Sequence, residues 1–96
     1  MKHQTIGTIT FHVDPSVPAV YVYLRDTEGF RSCRTVSIND EVNIDLDADG
    51  HVIGVEMLGP GSLDVVLNTV VPQYHLEQLE QLSQHKKMFD DLFQPV

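Results

Sequence analysis

The strongest chemical pattern in the chain lies between residues 45 and 56. Asp45, Asp47, Asp49, Gly50, Val52 and Glu56 stand at positions one, three, five, six, eight and twelve of a calcium loop. Oxygen ligands at that spacing wrap one calcium ion when a helix leads into the loop and another leads out. The flanks do not read as helices. Val42-Asn43-Ile44 and Ile53-Gly54-Val55 follow the period of two that marks half-buried strands. The expected element is therefore a β-hairpin, with residues 47–50 as a loop on a type I turn and Gly50 in the left-handed position. Matching inward residues sets Leu46 opposite His51, Ile44 opposite Ile53 and Val42 opposite Val55. Glu56 then faces Glu41, about 13 Å along the strand from Val52. It cannot share an ion with Asp45 and Asp47 at calcium–oxygen distances of ~2.3–2.6 Å. The acidic turn is left as a solvated loop or a weak cation site.

Other reactive residues form no stronger constellation. Glu41 and Glu56, facing across the hairpin, would be a carboxylate pair able to split its pKa values for acid–base work. The plainer reading is an exposed, mildly repulsive pair. His3, His12, His51, His75 and His85 show no H-x-x-x-H or H-E-x-x-H spacing. Ser16, Ser32, Ser37, Ser62 and Ser83 lack a nucleophile elbow. Cys33 is the only cysteine, so it forms no internal disulfide and no cysteine-based zinc site. Gly59-Pro60-Gly61 lacks the lysine and following helix of a phosphate loop. No catalytic residue, cofactor or metal is expected.

Composition narrows the classes further. Ninety-six residues are consistent with one domain. The net charge of −8 comes from fourteen acidic and six basic residues. Nucleic-acid backbones are bound by cations that displace counterions, and Arg25, Arg31 and Arg34 are too few to suggest it. The charge favours a basic protein partner instead. No apolar run reaches the ~18–20 residues of a membrane helix, and no secretory stretch opens the sequence. A cytoplasmic protein with no nucleic-acid or membrane partner is expected.

The elements that would position these residues are mostly strands. Residues 5–13 alternate, with Ile9, Phe11 and Val13 on one face. Residues 19–24 place Val20, Val22 and Leu24 on one face and Tyr21 and Tyr23 on the other. Residues 30–38 give a third strand. Val42, Ile44 and Leu46 face inward on the fourth, and His51, Ile53, Val55 and Met57 on the fifth. The apolar run 63–71 suggests a sixth. At Pro72 the period changes, because proline suits the first turn of a helix. Leu76, Leu79 and Leu82 form one apolar cluster; Met88, Phe89, Leu92 and Phe93 form another, roughly 110° away at ~100° per residue. The segment is thus one helix over 73–93 or two. Some of its apolar residues are expected to bind a partner, a second copy included: Leu76, Leu79, Leu82, Phe89, Leu92 and Phe93.

The segments Asp14-Pro15, Ala19-Val20-Tyr21-Val22-Tyr23-Leu24, Val42 through Gly50, and Val52 through Leu58 resemble one small-protein family, domain of unknown function 2283. Its pattern runs D-P-x-x-D-A-x-Y-x-x-L and later D-x-D-x-x-G-x-x-x-G-[IV]-E. The resemblance covers about residues 9–60, and Pro18 stands where the pattern has Asp. It implies a small β-rich domain with no assigned activity, in some members antitoxin-like or phage-accessory.

The expected architecture is α+β: an antiparallel meander of five or six strands in residues 1–71, then a helical segment, residues 72–96, packing on the sheet or on a partner. The expected function is a non-enzymatic protein–protein interaction module. The alternatives are a small enzyme using Glu41 and Glu56, or a weak cation-binding module at the acidic turn.

Overall fold

A computed structural model describes residues 2–6, 9–14, 16, 18–24 and 34–93. Cys33, Arg25, Arg31 and the first part of the expected 30–38 strand lie outside these residues. Six strands form one sheet: β1 (Lys2–Ile6), β2 (Ile9–Asp14), β3 (Ala19–Tyr23), β4 (Arg34–Ser37), β5 (Val42–Leu46) and β6 (Val52–Met57). Every pairing is antiparallel, and the strand order is β1-β2-β3-β6-β5-β4. Two three-stranded meanders therefore join along β3 and β6. The run expected as one strand over 5–13 is instead split between the hairpin strands β1 and β2, with Thr5 opposite Thr10.

The β5–β6 hairpin keeps the expected turn and departs from the expected register. Gly50 has φ +84°, and its N–H donates to the Asp47 carbonyl at 3.1 Å. The Asp47 N–H donates to the His51 carbonyl at 2.9 Å, so Asp47, not Leu46, closes the loop against His51. Leu46 then pairs with Val52, Asp45 with Gly54, Ile44 with Val55, Asn43 with Glu56 and Val42 with Met57. The ladder is irregular between Asp45 and Leu46, leaving Ile53 as an extra residue. One residue gained in the loop and one at the bulge shift the register by two. Inward residues still meet inward residues, but Val52 joins the main core cluster, while Ile53 is buried outside it. The β4–β5 turn is held by Asn39, whose Oδ1 accepts the Glu41 and Val42 N–H groups at 2.8 Å each.

The segment 63–71, expected as a strand, is helical. α1 (Ser62–Val65) runs into a π-helical turn (Val66–Val70) and then α2 (Val71–Tyr74). Leu63, Val66 and Val70 recur at helical spacing and are buried, so packing overrides the strand preference of the valines. Pro72 sits inside this run. It offers no N–H, and its ring would crowd a carbonyl four residues back. The wider π turn just before it, closed by Val71 N–H onto the Val66 carbonyl, relieves that conflict. Glu41 reaches the start of α1, where a Cβ on Gly59 would run into its carboxylate. A negative charge suits a helix start.

Of the two readings of 73–93, one helix or two, the structure shows a divided segment, interrupted first at His75, which takes the left-handed conformation (φ 57°, ψ 50°), and again between His85 and Lys86. A 3₁₀ helix (Glu77–His85) and α3 (Lys86–Leu92) follow. In 3₁₀ geometry side chains three apart eclipse, so Leu79 and Leu82 point the same way and both are buried. The 110° divergence inferred from α-helical spacing does not arise. Leu76, Leu79, Leu82, Phe89 and Phe93 are buried in the same core as Val20, Val22, Val42, Ile44, Leu46, Val52, Val55 and Met57, with Leu92 half-buried against it. They pack against the chain's own sheet. The helical residues thus cover one sheet face.

Two outcomes follow from this packing. Leu79→Ala should cost about 2–5 kcal/mol in urea unfolding, with a midpoint independent of protein concentration. A concentration-dependent midpoint would return Leu79 to an interface. Gly59→Ala should cost about 1–3 kcal/mol, and a double-mutant cycle with Glu41→Ala should show the two losses to be less than additive.

Candidate functional site

The other sheet face carries the polar and aromatic side chains in two transverse rows. Strand registers place His12, Tyr21, Glu56, Asn43 and Ser37 side by side across β2, β3, β6, β5 and β4. The next row is Tyr23, Gly54, Asp45 and Thr35. Alternation explains the placement: each of these residues neighbours an inward one on its strand.

Gly54 is the gap in the second row, and Tyr21 fills it. A Cβ on Gly54 would collide with the Tyr21 ring and hydroxyl. Through this space Tyr21 leans across β6 and donates its hydroxyl to Asp45 Oδ2 at 2.6 Å. Thr35 donates to Asp45 Oδ1, also at 2.6 Å. Asp45 thus holds three strands together and is not turned toward the loop, which removes the first ligand of the calcium pattern. Burial, then the hydrogen bond to Asp45, holds the Tyr21 phenol well above the ordinary tyrosine range, with the charges of Asp45, Tyr23 and Glu56 adding to the effect. Tyr21 therefore stays protonated and a donor.

Around this bridge lies an aromatic cluster. The Tyr21 and Tyr23 rings meet edge to face, with centroids 4.8 Å apart. The His12 and Tyr23 rings do the same at 4.9 Å, and the Tyr23 hydroxyl shares a 3.3 Å hydrogen bond with His12 Nδ1. Asn43 Nδ2 donates to Glu56 Oε1 at 3.0 Å.

The residues singled out for chemistry are dispersed. Glu56 faces Asn43 rather than Glu41, whose carboxylate sits by Gly59 and Gly61. The expected carboxylate pair is not assembled, because the register is two residues from the one that set them opposite. Asp47, Asp49 and His51 bring ligand atoms within 4.8 Å of one another. Asp47 Oδ1, however, already accepts the Asp49 and His51 N–H groups at 2.9 Å each, and Asp47 Oδ2 lies 3.6 Å from His51 Nδ1. That arrangement is accounted for by the turn itself. His75 is exposed at the helix break, with Glu77 at 4.0 Å. Among the described residues no helix is long and apolar enough to cross a membrane.

A family model matches residues 11–59, just over half of the chain. The chain belongs to the family described as Protein of unknown function (DUF2283). Nothing among curated proteins and nothing among solved structures matches it. The matched stretch spans Tyr21, Asp45, Gly54 and Glu56, four residues of the DUF2283 resemblance that lie far apart in sequence. The fold gathers all four on the sheet face opposite the helices. Sequence reasoning placed Tyr21 and Tyr23 on one face but missed the Tyr21–Gly54–Asp45 bridge. The signal for it was Gly54 in the middle of an otherwise apolar strand, a mark of close approach.

The bridge predicts an alkaline signature. A raised native pKa on Tyr21 contributes stability that is complete below the unfolded tyrosine value of ~10 and is lost as pH rises beyond it. Tyr21→Phe should cost about 1–3 kcal/mol at neutral pH by stripping Asp45 of a donor. The gap between wild type and variant should shrink above pH ~10. Gly54→Ala should remove the same alkaline dependence, since it evicts the Tyr21 ring. Parallel pH–stability curves for the three proteins would refute the bridge.

Proposed function

We propose that the chain is a non-enzymatic protein-interaction module that works through the sheet face opposite its helices and takes a basic partner. The carrying observation is the convergence of Tyr21, Tyr23, Asn43, Asp45 and Glu56 on that one face, while the opposite face is sealed by helices. The side chains there bond to one another across strands. This supports a preorganised binding surface, because tyrosine rings give a large contact area with few rotatable bonds. Asp45 spends both oxygens on hydroxyl donors, which suits a structural anion better than a proton carrier. The net charge of −8 favours a basic protein and repels nucleic acid. An antitoxin-like or phage-accessory pairing is one instance of this class.

Photo-crosslinking tests the reading. A benzophenone side chain placed at Ser37, exposed at the margin of the open face, should give a discrete adduct with a basic protein in extract of the native host. Excess unlabelled wild type should suppress that adduct, and excess Glu56→Gln should suppress it less. The same group placed at Asp64, on the helical side, should give none. Adducts only from position 64, or from neither, would overturn the proposal.

A further inference from the structure

The open face has a chemical asymmetry that narrows its partner. Asp45 and Glu56 are both half-buried carboxylates in the middle of the sheet. Among the described residues neither has a lysine, arginine or histidine as ion-pair partner; the carboxylates so paired are Asp47, Asp64 and Glu77. Asp45 is satisfied by neutral hydroxyls. Glu56 uses Oε1 for Asn43, and its Oε2 accepts no hydrogen bond among the described residues. Tyr21 stands directly opposite Glu56, and its ring meets Tyr23 at 61°. A carboxylate oxygen with spare acceptor capacity thus stands opposite Tyr21, whose ring packs on Tyr23, and the formally charged groups of the two rows described on this face are the carboxylates Asp45 and Glu56.

We infer that this corner of the face, Glu56 with Tyr21 opposite it and Tyr23 packed on Tyr21, is a seat for an arginine side chain of the partner protein. The inference rests on the interaction-module reading above and names the group recognised. A guanidinium is planar and weakly hydrated, so it stacks on aromatic rings. A cation within ~6 Å of a tyrosine centroid is attracted by the ring quadrupole. Its N–H groups would meet Glu56 Oε2 in a charge-assisted hydrogen bond and supply the cationic partner that Glu56 lacks among the described residues. A lysine ammonium could match the charge but, more strongly hydrated, would gain less from the rings.

The full chain, labelled with ¹⁵N, would be titrated with a nine-residue peptide of alternating glycine and arginine, and with its glycine–lysine counterpart. Both titrations run near physiological ionic strength, where the screening length is ~8 Å. The arginine peptide should bind about 3–5-fold more tightly. Its shifts should centre on Tyr21, Tyr23, Gly54 and Glu56. Glu56→Gln, which keeps the acceptor for Asn43, should weaken binding about 10-fold. Tyr23→Leu should remove the preference for arginine. The amide spectra of both variants would confirm that they remain folded. Equal affinity for the two peptides, shifts scattered over the acidic turn and the 3₁₀ helix, or no binding at all would each overturn the arginine seat. A face-specific crosslink to a basic partner alongside such a failure would show that the interaction reading stands without it.

Discussion

The pairing of β6 with β3 on one side and β5 on the other is what the rest of the structure depends on. No other pairing joins the first meander to the second. Inward, it builds two rows of core residues, Val20–Met57–Val42 and Val22–Val55–Ile44, and all six are sealed from solvent. Outward, the same registers build Tyr21–Glu56–Asn43 and Tyr23–Gly54–Asp45. A slip of one residue in β6 would exchange the two sets, exposing valines and burying Glu56. The Tyr21–Asp45 bridge spans β6 only in the observed register, because only Gly54 leaves room for the ring. Core and outer face therefore select one alignment together.

Much of this was legible in the sequence. The alternation in 19–24 and 42–46 identified the faces, and the calcium-like pattern was resolved as a hairpin with Gly50 left-handed. What failed was register, for a physical reason. A period of two is unchanged by a shift of two, so matching Ile44 with Ile53 satisfied the same criterion as matching it with Val55. The information that separates the two lies in turn hydrogen bonds and in the bulge. Asp47 supplies part of it, through the amides that its carboxylate holds. The error then spread: it set Glu41 against Glu56 and suggested a carboxylate pair that the fold does not assemble.

The helical half was less legible because its periods compete. Leu63, Val66 and Val70 keep helical spacing, yet the valines around them favour strands, and tertiary contact decided in favour of the helix. Pro72 reads as a helix start and lies inside a helical run, accommodated by the π turn before it. The Leu76–Leu82 and Met88–Phe93 clusters diverge on one continuous α-helix, whereas a 3₁₀ helix followed by α3 brings Leu79, Leu82, Phe89 and Phe93 into one core.

The family match and the architecture divide the chain at nearly the same place. The match ends at residue 59, and the first helix begins at Ser62. What the family model describes is thus most of the sheet, including the open face with Tyr21, Asp45, Gly54 and Glu56. The helices outside the match supply Leu79, Leu82 and Phe89 to close the core on the far side. A sheet with one apolar face needs such a cover, and leucines and phenylalanines can provide it in many arrangements. The open face is more constrained, since a Cβ at Gly54 or the loss of one hydroxyl breaks the bridge. Stability accordingly draws on both halves of the chain, while the bridged polar face lies in the half that the family shares.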